Sequence, residues 1–154
     1  MKKPRLFSSL LPGLAAALLL LNACNKETAV PAAPAPPAST VFTTLRMGTV
    51  VAQGGVMSGG TIAIVKAADG SEHVQFNADF YTDFHTGSLG IYLAKSNALV
   101  RNQRAADPAS VVRVGTITQS GAQLLPITGT SAGFSHVILH CDPAQYNFGA
   151  APMQ

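Results

Sequence analysis

From residue 46 to the C-terminus, apolar and polar positions repeat with a period of two rather than 3.6, which predicts half-buried strands whose successive side chains face opposite sides. Residues 56–66 read VMSGGTIAIVK, the Asp-Gly pair at 69–70 marks a turn, and residues 72–80 resume the alternation with Val74, Phe76, Ala78 and Phe80 on one face. That pattern predicts a β-hairpin. Further strands are expected over 46–53, 89–94, 111–118, 123–127, 135–141 and 145–149, separated by Gly, Ser, Asp and Pro clusters. Only residues 96–109, where Asn97, Arg101, Asn102 and Arg104 break the alternation, leave room for a helical turn. About seven or eight short strands without an intervening helical repeat predict an all-β fold: a single antiparallel β-sandwich or flattened barrel.

The segment ahead of these strands has a different character. Lys2, Lys3 and Arg5 precede an apolar run over 6–21, and Leu21-Asn22-Ala23-Cys24 closes it. Charge, apolar core and small residue before the cut, in that order, are those of a secretory signal, and the cysteine immediately after is the mark of a bacterial lipoprotein. The run is too short and too interrupted, by Ser8, Ser9, Pro12 and Gly13, to serve as a membrane span of about 20 residues. The expectation is therefore a signal peptide over 1–23, with Cys24 taking a diacylglyceryl group and a palmitate-type acyl chain. Two or more chains, at about 0.8 kcal/mol per buried methylene, make a stable anchor. Asn25 rather than aspartate follows the cysteine, which points to the outer membrane of a bacterial cell envelope, on either face. Residues 27–40 read ETAVPAAPAPPAST, a semi-rigid tether reaching about 40 Å at roughly 3.1 Å per residue in polyproline conformation. The chain thus divides into a leader (1–23), an anchor and tether (24–44) and a β-domain (45–154).

Removal of the leader resets the charge. Of ten Lys and Arg, three lie in the leader, and the remaining seven match seven Asp and Glu, so the formal +3 belongs to the leader alone. A near-neutral domain with scattered cations cannot neutralise a run of phosphates, which excludes nucleic acid as a partner. The partners left are the membrane, through the lipid, and a protein of the envelope.

Four stretches carry a family resemblance: MGTVVAQGGVMSGGTIAIVKAADGSEHVQFN, LGIYLAK, VVRVGTITQSGAQLLPI and FSHVILHCDPAQYNFGAAPM. Taken in order over 46–153, they resemble the DM-thirteen domain of bacterial secreted proteins, which in animals accompanies DOMON domains. The resemblance implies a β-sandwich and a redox or electron-transfer role, with a redox partner, centred on the cysteine that falls at Cys141. Two features depart from that pattern: the family commonly has Trp before this cysteine and Pro-Asp before the Tyr-Leu strand, where this chain has His140 and Gly87-Ser88. His140 would then tune the thiol in place of the indole.

Alternation places Ser135, Val137, Leu139 and Cys141 on one face of their strand, and His136, Ile138 and His140 on the other. Cys141 is either an inert core thiol, which behaves as a small hydrophobe, or a redox group. With Cys24 lipidated it has no intramolecular disulfide partner. His136 and His140, about 13 Å apart along a straight strand, cannot share a metal. His140 with Asp142, or with His73 or His85 from another strand, would offer a haem or copper ligand set, although the sequence requires no cofactor. Met47, Met57 and Met153 read as packing residues. Asp79, Asp83 and His85, in NADFYTDFHTG, form the densest polar cluster, suited to a binding loop or to its own turns. No G-x-S-x-G, P-loop or H-E-x-x-H sequence is present, so no catalytic residue is assigned. A non-catalytic envelope binding or structural module stands as the alternative to electron transfer.

Overall fold

The computed structural model describes residues 41–154; the expected leader, Cys24 and most of the tether lie outside the described residues. Within the described residues nine strands form two antiparallel sheets. In chain order they are β1 (Phe42–Thr49), β2 (Val51–Ala52), β3 (Thr61–Ala67), β4 (Glu72–Phe76), β5 (Leu89–Ala94), β6 (Val111–Ile117), β7 (Gln123–Pro126), β8 (His136–Cys141) and β9 (Tyr146–Pro152). One sheet runs β1-β3-β4-β7 and the other β2-β9-β8-β5-β6. The result is an open β-sandwich, not a closed barrel.

The period-two pattern accounts for the core. Ile62, Ile64, Val74 and Phe76 of the four-stranded sheet face Leu89, Ile91, Leu93, Val137, Leu139 and Phe148 of the other, all buried. Each such side chain contributes about 1.5–3 kcal/mol on leaving water. A second cluster of Tyr92, Ala94, Val111, Ile138 and Ala150 lies on the outer face of the five-stranded sheet. It joins Val100 of the short helix α1 (Val100–Ala106), which occupies the passage where alternation failed. Leu99, at the helix N-cap, offers no side-chain cap. Gln103 instead fixes the loop ahead of the helix: buried, its amide donates to the carbonyls of Ser96 (3.0 Å) and Ala98 (2.8 Å) and accepts from Ser96 N (3.2 Å).

Several expected strands differ in their limits: the one over 56–66 begins only at Thr61, and the one over 145–149 runs on to Pro152. The stretch 46–53 is not one strand: the chain leaves the first sheet at Thr49 and pairs with β9 from Val51, while Val50 drops into the core and donates to Gly60 O (2.9 Å). Alternation cannot reveal such a change of sheet, because the side chains keep their sides. The hairpin strand expected to run to Phe80 ends at Phe76, where Asn77 turns the chain and Phe80 N donates to Asn77 O (3.1 Å). Phe80 stays buried and meets Phe76 at 4.5 Å between ring centroids, whereas Ala78 is exposed. The first strand also starts earlier than expected, at Phe42 within the stretch assigned to the tether.

The register defines two ends. Phe42 pairs with Ala67 beside the β3–β4 turn, and Thr49 pairs with Thr61 beside the opposite loops. Residues 53–60 and 77–88 therefore lie about 24 Å from the point where the chain begins β1, at roughly 3.4 Å per strand residue.

Candidate functional site

Alternation along β8 holds as expected. Cys141 ends the strand on its inner face at 0% exposure, in the same core as Val137, Leu139 and Phe148. It is a free thiol. Surrounded by apolar groups on the inside of two sheets, it contributes as a small hydrophobe.

His140 faces the other way and is also buried. Asn147, opposite it on β9, donates its amide to the carbonyls of Ala98 (3.1 Å) and Asn97 (3.4 Å), which turns its Oδ1 toward His140 Nδ1 at 2.9 Å. A carbonyl oxygen only accepts, so Nδ1 carries the proton of the neutral ring. Burial lowers the pKa of His140, against the Asn147 hydrogen bond and the Asp142 charge, which raise it. The edge of the cluster is Tyr92, set at right angles to His140 with 5.7 Å between ring centroids. Its hydroxyl donates to Asp142 (2.6 Å), which also receives Arg113 (3.3 Å), and Arg104 lies 5.6 Å from its ring centre. Burial, with Asp142 second, raises the tyrosine's pKa.

His136 is half-buried at the start of β8, with Nδ1 2.8 Å from Ser135 Oγ, and burial lowers its pKa. The other candidates do not converge on His140. His73 meets the ring of Phe42 (5.5 Å) on the other sheet, and His85 stacks at 6.0 Å on Phe148 and pairs with Asp83. Among the described residues no three His, Cys, Asp or Glu side chains come close enough to hold a metal ion. The three-ligand set of a copper centre is therefore not assembled among the described residues.

At the far end the expected polar cluster divides by task. Asp79 serves the fold: its carboxylate accepts from Thr61 N (3.2 Å) and Thr61 Oγ1 (2.9 Å), closing the turn after β4. Asp83 and His85 border open space. Asp83 accepts from His85 N (2.8 Å) and its other oxygen lies 2.8 Å from His85 Nδ1; these hydrogen bonds hold its carboxyl below the usual range. The two loops are joined by backbone bonds between Gly59 and Tyr81 (2.9 and 3.1 Å) and by Ser58 Oγ to Thr82 Oγ1 (2.6 Å). Between them lies a cleft of about 480 Å³, walled by Val56, Met57, Tyr81, Asp83, Phe84 and His85.

Met57 was expected to pack, yet it is 79% exposed; Tyr81, not singled out from the sequence, is 51% exposed. Met47 also lies at the surface, whereas Met153 is buried. The glycines around Met57, which take it off the strand alternation, are the sequence signal for its exposure. Compared with known proteins, the chain matches no family model, no curated protein and no solved structure.

Proposed function

We propose that this protein is a lipid-anchored component of the bacterial cell envelope whose β-sandwich is a non-catalytic binding module, presenting the cleft between the 53–60 and 77–88 loops. The leader, Cys24 and the Pro/Ala-rich tether support the anchoring, and Asn25 favours the outer membrane. The observation that carries the binding role is the contrast between a sealed thiol and an open cleft. Cys141 is 0% exposed between the sheets, whereas Met57, Tyr81, Asp83 and His85 stand at the surface of one end. Binding residues belong on loops held by a rigid scaffold. The electron-transfer role implied by the DM-thirteen resemblance requires a thiol that a partner can reach, and burial of Cys141 favours the binding role instead.

Metabolic labelling with palmitate should mark the wild-type chain and not Cys24→Ala, which should also leave the membrane fraction. A photo-reactive residue placed at Ala78, exposed on the 77–88 loop but outside the cleft lining, should crosslink to an envelope protein in cells, and the crosslink should persist in Cys141→Ala. Loss of the crosslink in Cys141→Ala, with the fold intact, would return the thiol to the centre of the function. No crosslink in either chain overturns the binding role.

A further inference from the structure

The cleft has a sign as well as a shape. The loops at its end, residues 53–60, 77–88, 118–122 and 142–145, carry Asp79, Asp83 and Asp142 and no Lys or Arg. Two of these acids are engaged elsewhere, Asp79 by Thr61 and Asp142 by Tyr92 and Arg113. Asp83 remains, bordering the cleft with its side chain 51% exposed. Each of its oxygens accepts one bond from within the loop, from His85 N and His85 Nδ1, and keeps a second lone pair for an outside donor. The carboxylate is thus oriented before any ligand arrives.

Its surroundings are apolar. Met57 and Tyr81 expose most or half of their surface beside the partly buried Val56 and Phe84. The Tyr81 ring is braced against Gly59: a Cβ there would fall 2.5 Å from the tyrosine hydroxyl oxygen. Gly59 is needed for that ring to form a wall. An apolar slot ending in a carboxylate with two free lone pairs suits a ligand with a methylene stem and a planar forked cation. A tyrosine face attracts the same cation, and methionine adapts to the stem.

Building on the binding role above, we propose that the cleft receives an arginine side chain from an extended segment of a partner polypeptide. Asp83 takes the guanidinium on both oxygens, and Tyr81 and Met57 flank the stem. Lysine, a compact point charge, lacks the planar fork that gives two parallel bonds to the carboxylate.

The probe is a fluorescent Gly-Leu-Arg-Leu-Gly peptide, compared with the same peptide carrying neutral, isosteric citrulline, titrated by anisotropy against the purified full-length protein in detergent. The arginine peptide should bind about two- to fivefold more tightly than the citrulline peptide, the range of a half-exposed ion pair. Asp83→Asn should remove that ratio, and Tyr81→Ala should weaken both peptides while Tyr81→Phe does not. Equal binding of the two peptides, a ratio that survives Asp83→Asn, or no binding at millimolar peptide overturns the proposal. A crosslink from Ala78 in cells that Asp83→Asn leaves intact keeps the binding module and overturns its arginine specificity. Circular dichroism that matches wild type shows each variant folded.

Discussion

The polar residues buried in this domain make its stability depend on pH in a defined direction. Burial holds His140 below the ordinary histidine value of 6.5, and His136 shifts the same way. Below that value the unfolded chain takes up protons that the folded chain resists. The contribution is therefore fully present above the ordinary value and is lost as pH falls through it toward the folded value. The urea midpoint should fall between about pH 7 and pH 5, and His140→Gln should flatten the decline. Asn147→Ala, which strands the His140 proton, should cost about 1–3 kcal/mol in urea unfolding at pH 7. The two faces of β8 were legible in the sequence because alternation assigns Cys141 inward and His140 outward. The partners of His140 were not, since Asn147 sits on another strand and the carbonyls of Asn97 and Ala98 belong to a loop whose path depends on Gln103.

Among the elements, strand existence was well read and strand limits less so. Seven expected strands overlap β3 to β9, because apolar positions recur along each and each is bounded by turn residues; the largest error is at β3, expected from residue 56 and observed from Thr61. The limits failed where the chain turns without losing burial, at Val50 and at Asn77. Gly60 marks the second of these turns from the other side. Its φ is +93°, and a Cβ there would fall 2.4 Å from Phe80 Cα. Gly60→Ala therefore meets both an unfavourable backbone and a clash, and should lower stability by more than about 1 kcal/mol, read as a shift in thermal midpoint. The same substitution at Gly55, with φ +75° but nothing within 4 Å, should be milder, since it carries the backbone penalty alone.

Across the whole molecule, the long loop 127–135 between β7 and β8 is fixed from both sides. Arg46 on β1 donates to the carbonyls of Phe134 and Ser131 and to Ser131 Oγ (2.8 Å), while Glu72 on β4 accepts from Ser131 N (2.7 Å). Hydrogen bonds from Ser131 hold the Glu72 carboxyl below its ordinary value. Arg46→Ala should release this loop, so limited proteolysis should cut within 127–135 in the variant and spare the wild type. Nothing in the alternation announced this clasp, which joins residues 59 to 88 positions apart in sequence. Burial of the thiol has a further consequence. Because Cys141 lies between the sheets, a thiol reagent can reach it only when they part, so the rate of its modification is a clock for rare openings of the sandwich. Arg46→Ala should leave that clock almost unchanged if its loop opens alone, and quicken it if the clasp also holds the two sheets together.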